Sequence, residues 1–223
     1  MQRHHGFAVR AIVATLIGYV GLLLGPAVAQ PDRPLRLVAL GDSLTAGYGL
    51  PVEAAFPAAL ERALRARGHN VEVANAGVSG DTASGGLQRV DWSVPDGTDG
   101  VILELGANDM LRGLDPAITR QALEGIIQRL KARGIPVMLV GMYASRNLGP
   151  EYGARFEGVY RDLARTYDLV LYPFFLDGIA GQQALNLPDG MHPTAQGVER
   201  IVQGILPSVE TFIRRIRERA GAG

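Results

Sequence analysis

The chain has 223 residues, 47% hydrophobic and 20% charged, a composition that suits one globular domain with a sizeable core. Lys plus Arg equals Asp plus Glu at 22 each, which argues against a nucleic-acid-binding protein. The absence of cysteine excludes a disulfide framework, a thiol nucleophile and a thiolate-ligated metal.

Read from its start, the chain opens on a basic segment with Arg3 and Arg10, runs through an apolar stretch at 11–24, and reaches Pro26-Ala27-Val28-Ala29-Gln30. A basic start, an apolar run and small residues at Ala27 and Ala29 have the layout of a secretory signal peptide cut after Ala29. The alternative is an uncleaved anchor, since the run approaches spanning length; Gly18, Gly21 and Gly25 thin it and favour cleavage. The expected organisation is therefore a signal peptide at 1–29 and one domain at 30–223, periplasmic or secreted. Loss of Arg3 and Arg10 leaves 20 basic against 22 acidic residues, a net charge of −2.

Short, mostly apolar strands are predicted at 35–40, 71–75, 101–105, 136–140 and 169–172. Strands of that length and apolarity suit a parallel sheet covered on both faces. Helical periodicity lies between them. At 116–133, Ile118, Ala122, Leu123, Ile126, Ile127 and Leu130 share one face, with Asp115 as cap, Pro116 in the first turn and Gly134 at the end. Further helices are predicted at 56–67, 151–167 and from about Pro193 to the C-terminus, the last broken or kinked at Pro207. The longest irregular stretches are 91–100, 142–149 and 177–189. The pattern is β-α repeated five times, a three-layer α/β sandwich.

In such a sheet ligands bind beyond the carboxyl ends of the strands. Four groups of residues arrive there: Gly41-Asp42-Ser43-Leu44, Ser79-Gly80-Asp81-Thr82, Gly106-Ala107-Asn108-Asp109 and Asp189-Gly190-Met191-His192-Pro193. Beyond the signal segment only two histidines remain, and His69 falls in a turn at the opposite edge. His192 is left as the candidate base, with Asp189 three residues earlier placed to fix its tautomer. Ser43, just after a strand and at a helix start, is the matching nucleophile; taken alone it would read as a plain N-cap. The backbone N–H groups of Ser43 and Gly80 and the side-chain amide of Asn108 are candidate oxyanion donors. Gly80 is expected to be glycine so that the backbone comes close to a ligand. Asp42, Asp81 and Asp109 are read as turn-stabilising acceptors, with a Mg²⁺ site as the lesser alternative.

These four blocks in order resemble the SGNH, or GDSL, hydrolases. The longer stretches GDSLTAGYGL, SGDTASGGLQR, LELGANDMLRG, LYPFF and DGMHPTAQG resemble the periplasmic thioesterase I/lysophospholipase/arylesterase branch, over nearly all of the chain from Leu35 onward. The resemblance implies a flavodoxin-like α/β/α sandwich with a five-stranded parallel sheet. It implies Ser43, Asp189 and His192 as catalytic triad, Ser43, Gly80 and Asn108 as oxyanion hole, and no metal or organic cofactor. It also implies a loop at 142–153 that moves over the acyl chain. Ala107 stands where close relatives often carry a second glycine.

The expected substrates are small acyl esters or thioesters, such as aryl esters, acyl thioesters and lysophospholipids, handled by a monomer with transient contact to lipid and no nucleic acid. Leu44, Leu111, Met142, Tyr143 and Met191 are candidate substrate contacts, with Tyr48, Leu114 and Leu148 as further apolar candidates. A carbohydrate O-deacetylase with the same machinery and a non-catalytic binding protein on the same fold remain as alternatives. The run Arg214-Arg215-Ile216-Arg217 reads as a solvated helix end.

Overall fold

Five parallel strands lie in the order β2-β1-β3-β4-β5, with helices on both faces. The strands are β1 (Leu35–Gly41), β2 (Val71–Gly77), β3 (Gly100–Glu104), β4 (Val137–Val140) and β5 (Val170–Tyr172). This computed structural model describes Met1 and residues 33–221, and residues 33–221 form one compact unit. Apart from Met1, the expected signal peptide lies outside the described residues.

The burial of each strand follows its place in the sheet. Leu37, Val38, Ala39 and Leu40 of β1 and all of β3 are buried, because both strands have paired neighbours and helices above and below. At the edge, β2 alternates, with Val71 and Val73 buried and Glu72 and Ala74 exposed. The helices are α1 (Ser43–Ala46), α2 (Phe56–Ala66), α3 (Ala83–Ser93), α4 (Ala107–Leu111), α5 (Pro116–Ala132), α6 (Pro150–Tyr167) and α7 (Ala195–Gly221). Helix α2 packs on α7, while α3, α5 and α6 form a second contiguous row. The Asp115 carboxylate caps α5 by accepting from the Ala117 N–H, as its position before Pro116 predicts.

Two features depart from the sequence pattern. Helix α3 lacks a clear apolar stripe and carries Gly85 and Gly86, so periodicity does not reveal it. Gly86 is there for space: a Cβ would stand 2.3 Å from Leu105 Cδ1. Secondly, α7 runs unbroken through Pro207. Ile201, Val202, Ile205, Leu206, Val209, Phe212 and Ile213 are all buried, and that packing outweighs the one backbone bond that proline forfeits.

The chain leaves β1 toward β2 on one side, and later strands extend from β3 on the other. The carboxyl ends of β1 and β3 thus form the point where the strand order reverses, with open room above the sheet.

Candidate active site

Just past β1, Asp42 caps α1, its Oδ1 accepting from the Leu44 N–H at 3.0 Å. The turn is tight. A Cβ at Gly41 would stand 2.1 Å from Thr45 Oγ1 and 2.7 Å from the Glu104 carbonyl, so only glycine lets β1 turn here. Ser43 opens α1 with its hydroxyl at the sheet edge. Its Oγ lies 2.9 Å from Nε2 of His192, which comes from the segment before α7. On the other side of the ring, Nδ1 lies 2.7 Å from Asp189 Oδ2. Asp189 Oδ1 accepts from the N–H groups of Met191 (2.9 Å) and His192 (3.0 Å). Those backbone donors, and then the imidazole, hold the Asp189 carboxyl down at about 2. The carboxylate is therefore charged across the physiological range, oriented against one nitrogen and leaving the other for Ser43.

Gly80 has φ +83°, and a side chain there would meet nothing within 4 Å. The left-handed backbone favours glycine at this position, and the open space beside it belongs to the cavity that Ser43 and His192 also line. Asn108 already has partners within the fold. Its amide Nδ2 donates to the Asp81 carbonyl (2.9 Å) and to Asp42 Oδ2 (3.2 Å), so both amide hydrogens already have acceptors. The N–H groups of Ser43 and Gly80 have no acceptor among the described residues.

The three aspartates near the site all act as acceptors. Asp109 accepts from the Ala83 N–H (2.8 Å) and Thr119 (3.1 Å), and Asp81 pairs with Arg89 at 2.6 Å. Among the described residues no cluster of three or more His, Asp or Glu is placed to hold a metal ion.

Beneath the Ser43 turn sits a buried carboxyl that the sequence analysis does not single out. Glu104 is buried at the end of β3 and accepts from Thr45 Oγ1 at 2.7 Å, while its other oxygen has no hydrogen-bond partner among the described residues. Burial, reinforced by Asp42, holds its carboxyl well above the usual range. Burial likewise pushes Asp42 up to about 6, against the pull of the Leu44 N–H, the Asn108 amide and His192. A carboxyl raised in the fold contributes stability that is complete below its ordinary 3.8 and is lost as pH rises through about 6. Asp42→Asn, neutral throughout, lacks that loss. The stability of the variant relative to wild type should therefore climb between pH 4 and 7, by an amount on the order of 2–3 kcal/mol. Thermal denaturation at several pH values checks it; a constant difference between the two proteins would refute a raised Asp42.

The serine and histidine open into a cavity of about 410 Å³. Leu44, Met110, Leu111, Met142, Leu176 and Met191 supply much of its apolar wall. Of the expected substrate contacts, Leu44, Leu111, Met142 and Met191 are there, and Tyr143 is not. Backbone direction alternates along this extended segment, so Met142 points in while Tyr143 stacks on Phe174 at 4.3 Å. Leu114 and Leu148 also lie outside the wall. Tyr48 takes a place beyond that of an apolar contact, its ring 4.5 Å from the His192 ring. His69 pairs with Glu210 far from this edge.

Known proteins show the same arrangement of chain. Residues 39–200 match the model of the GDSL-like lipase/acylhydrolase family. Esterase TesA of Pseudomonas aeruginosa is 35% identical over 199 residues, 89% of this chain and 98% of that protein. The thioesterase 1/protease 1/lysophospholipase L1 of Escherichia coli is 37% identical over 158 residues, 70% of this chain and 74% of that protein. The crystal structure of AlinE4, an SGNH-hydrolase family esterase, superposes with a TM-score of 0.69 at 46% identity, covering 82% of this chain and 98% of that one. The match spans all four sequence blocks that meet at this sheet edge, and on it the chain belongs to the GDSL-like lipase/acylhydrolase family.

Proposed function

We propose that this chain is an exported carboxylic ester hydrolase working by two-step acyl transfer, with Ser43 as nucleophile, His192 as base and Asp189 as the carboxylate that orients it. The observation that carries the reading is the 2.9 Å contact between Ser43 Oγ and His192 Nε2 at the mouth of an apolar cavity. His192 takes the serine proton as the oxygen attacks the acyl carbon. The negative charge on the carbonyl oxygen is met by the N–H groups of Ser43 and Gly80. Asn108 joins them by sharing the hydrogen of its longer bond, the 3.2 Å one to Asp42. His192 then protonates the leaving group, and water activated by the same ring releases the acid.

The apolar wall supports aryl, acyl-thioester and lysophospholipid substrates over an acetylated sugar, whose hydroxyls would find few partners there. A binding module has no use for an oriented imidazole–carboxylate couple facing a serine. Met142 and Ser145 belong to the cavity wall, which supports closure of the 142–153 loop over the acyl chain. Leu111 and Met191 are exposed at the rim and suit brief contact with lipid. Every proposed catalytic group comes from one chain, in keeping with a monomer. Arg3, Arg10 and the Ala27-Val28-Ala29 site support export to the periplasm or beyond, with residues 1–29 removed and 30–223 as the working domain.

The test is a panel of p-nitrophenyl esters of increasing acyl length beside an acetylated sugar, with a fluorophosphonate probe. The expected result is hydrolysis of the acyl esters and a covalent adduct at Ser43. Cleavage of the sugar alone would favour the deacetylase, and no adduct in folded protein would favour the binding module.

A further inference from the structure

Arg89 lies midway along α3, is nearly fully buried, and is absent from the cavity wall. Its guanidinium is nonetheless wired to the edge of the site. Nε donates to Asp81 Oδ2 at 2.6 Å, and one terminal nitrogen donates to the Gly41 carbonyl at 2.8 Å. The other donates to the Ala76 carbonyl (2.8 Å) and to Ser93 Oγ (3.1 Å). Gly41 ends β1 two residues before Ser43, and Ala76 lies at the end of β2. Asp81 follows Gly80 directly, and its backbone carbonyl accepts the Asn108 amide at 2.9 Å. A single planar cation therefore ties together the segments that carry the Ser43 and Gly80 donors, and reaches the Asn108 amide through the Asp81 turn.

From this geometry we infer that Arg89 is a positioning residue for the oxyanion pocket. It fixes the Asp81 turn, and through it the Gly80 N–H and the Asn108 amide, against the Ser43 turn. The inference rests on the ester-hydrolase reading. Arg89 suits the task because three separate nitrogens of a rigid fork reach Asp81, Gly41 and Ala76, whereas lysine has a single nitrogen to offer to acceptors so spread. A slip of about 1 Å in a positioned donor costs on the order of 10²-fold in rate. The donors meet charge that develops only in the transition state, so the loss falls on kcat and leaves KM largely alone.

Arg89→Lys and Asp81→Asn test it, each measured on folded protein by p-nitrophenyl butyrate kinetics. Both variants should lose about 10- to 100-fold in kcat with KM within about threefold of wild type. Their effects should not multiply, since either change breaks the same link, so the double variant should match the worse single within about threefold. A merely structural Arg89 would lower the melting temperature while leaving kcat per folded molecule intact. That result, a loss confined to KM, or full multiplication in the double variant would overturn the inference. Should Arg89→Lys fail to fold, Asp81→Asn carries the test alone, and wild-type kcat in that variant overturns it. A wild-type protein inert to the ester and to fluorophosphonate removes the ester-hydrolase reading and this inference with it. An active wild type beside an unimpaired Arg89→Lys removes only the inference.

Discussion

Ser43→Ala is expected to lower turnover of short p-nitrophenyl esters by about 10⁴- to 10⁶-fold while the protein stays folded. The side chain contributes one oxygen, whose partner is His192 Nε2 at 2.9 Å, and no other residue in the cavity wall offers an alcohol at that ring. Ser79 and Ser145 line the same cavity but are not bonded to the imidazole. The fold has little to lose. The cap on α1 comes from Asp42, not from Ser43, and the residue-43 backbone is unchanged. Loss of one partly exposed hydrogen bond should cost about 1 kcal/mol of stability. The oxyanion donors survive in the variant, so a small residual rate above uncatalysed hydrolysis is expected. Circular dichroism and a fluorophosphonate adduct assay run beside the kinetics decide the matter: folded protein with no adduct and only the residual rate is the expected result, and near-normal turnover would end the assignment of the nucleophile.

Asp189→Asn should cost about 10⁴-fold in kcat/KM, for a reason that lies in proton placement. The wild-type carboxylate presents Oδ2 to Nδ1 of His192 and Oδ1 to two backbone N–H groups. An asparagine keeps its oxygen on those two N–H donors, which turns its NH₂ toward Nδ1. The ring then adopts the tautomer with Nδ1 as acceptor and its proton on Nε2. That nitrogen faces Ser43 and can no longer take the serine proton. The variant should still bind substrate, with KM within a few-fold of wild type. Steady-state kinetics on one aryl ester checks the split; activity within tenfold of wild type would show that Asp189 does not set the tautomer.

The sheet and the meeting of the four blocks were legible in the sequence because each rests on a local signal. An apolar strand ending in glycine marks β1, and Asp115 followed by Pro116 marks α5. What stayed hidden depends on distant packing. Gly85 and Gly86 mask α3 because the reason for Gly86 is Leu105, on another element. Nothing near Asn108 announces that its amide is already shared between Asp42 and Asp81. Tyr143 was placed in the cavity by its apolarity, and its outward turn follows from a stacking partner more than thirty residues away in Phe174. One clue was visible and unused: Glu104 interrupts an otherwise apolar strand. An ionisable group in such a place is seldom there without a role.

The bond between Ser43 and His192 spans 149 positions of sequence. Helix α2, which follows the serine, packs on α7, which follows the histidine. On the proposed assignment neither end of the domain holds a working half of the machinery, and turnover is expected only once the last helix has docked. During refolding, hydrolysis should then be a late event that reports completed assembly, and a molecule with its terminal helix undocked should be catalytically silent however well its sheet has formed.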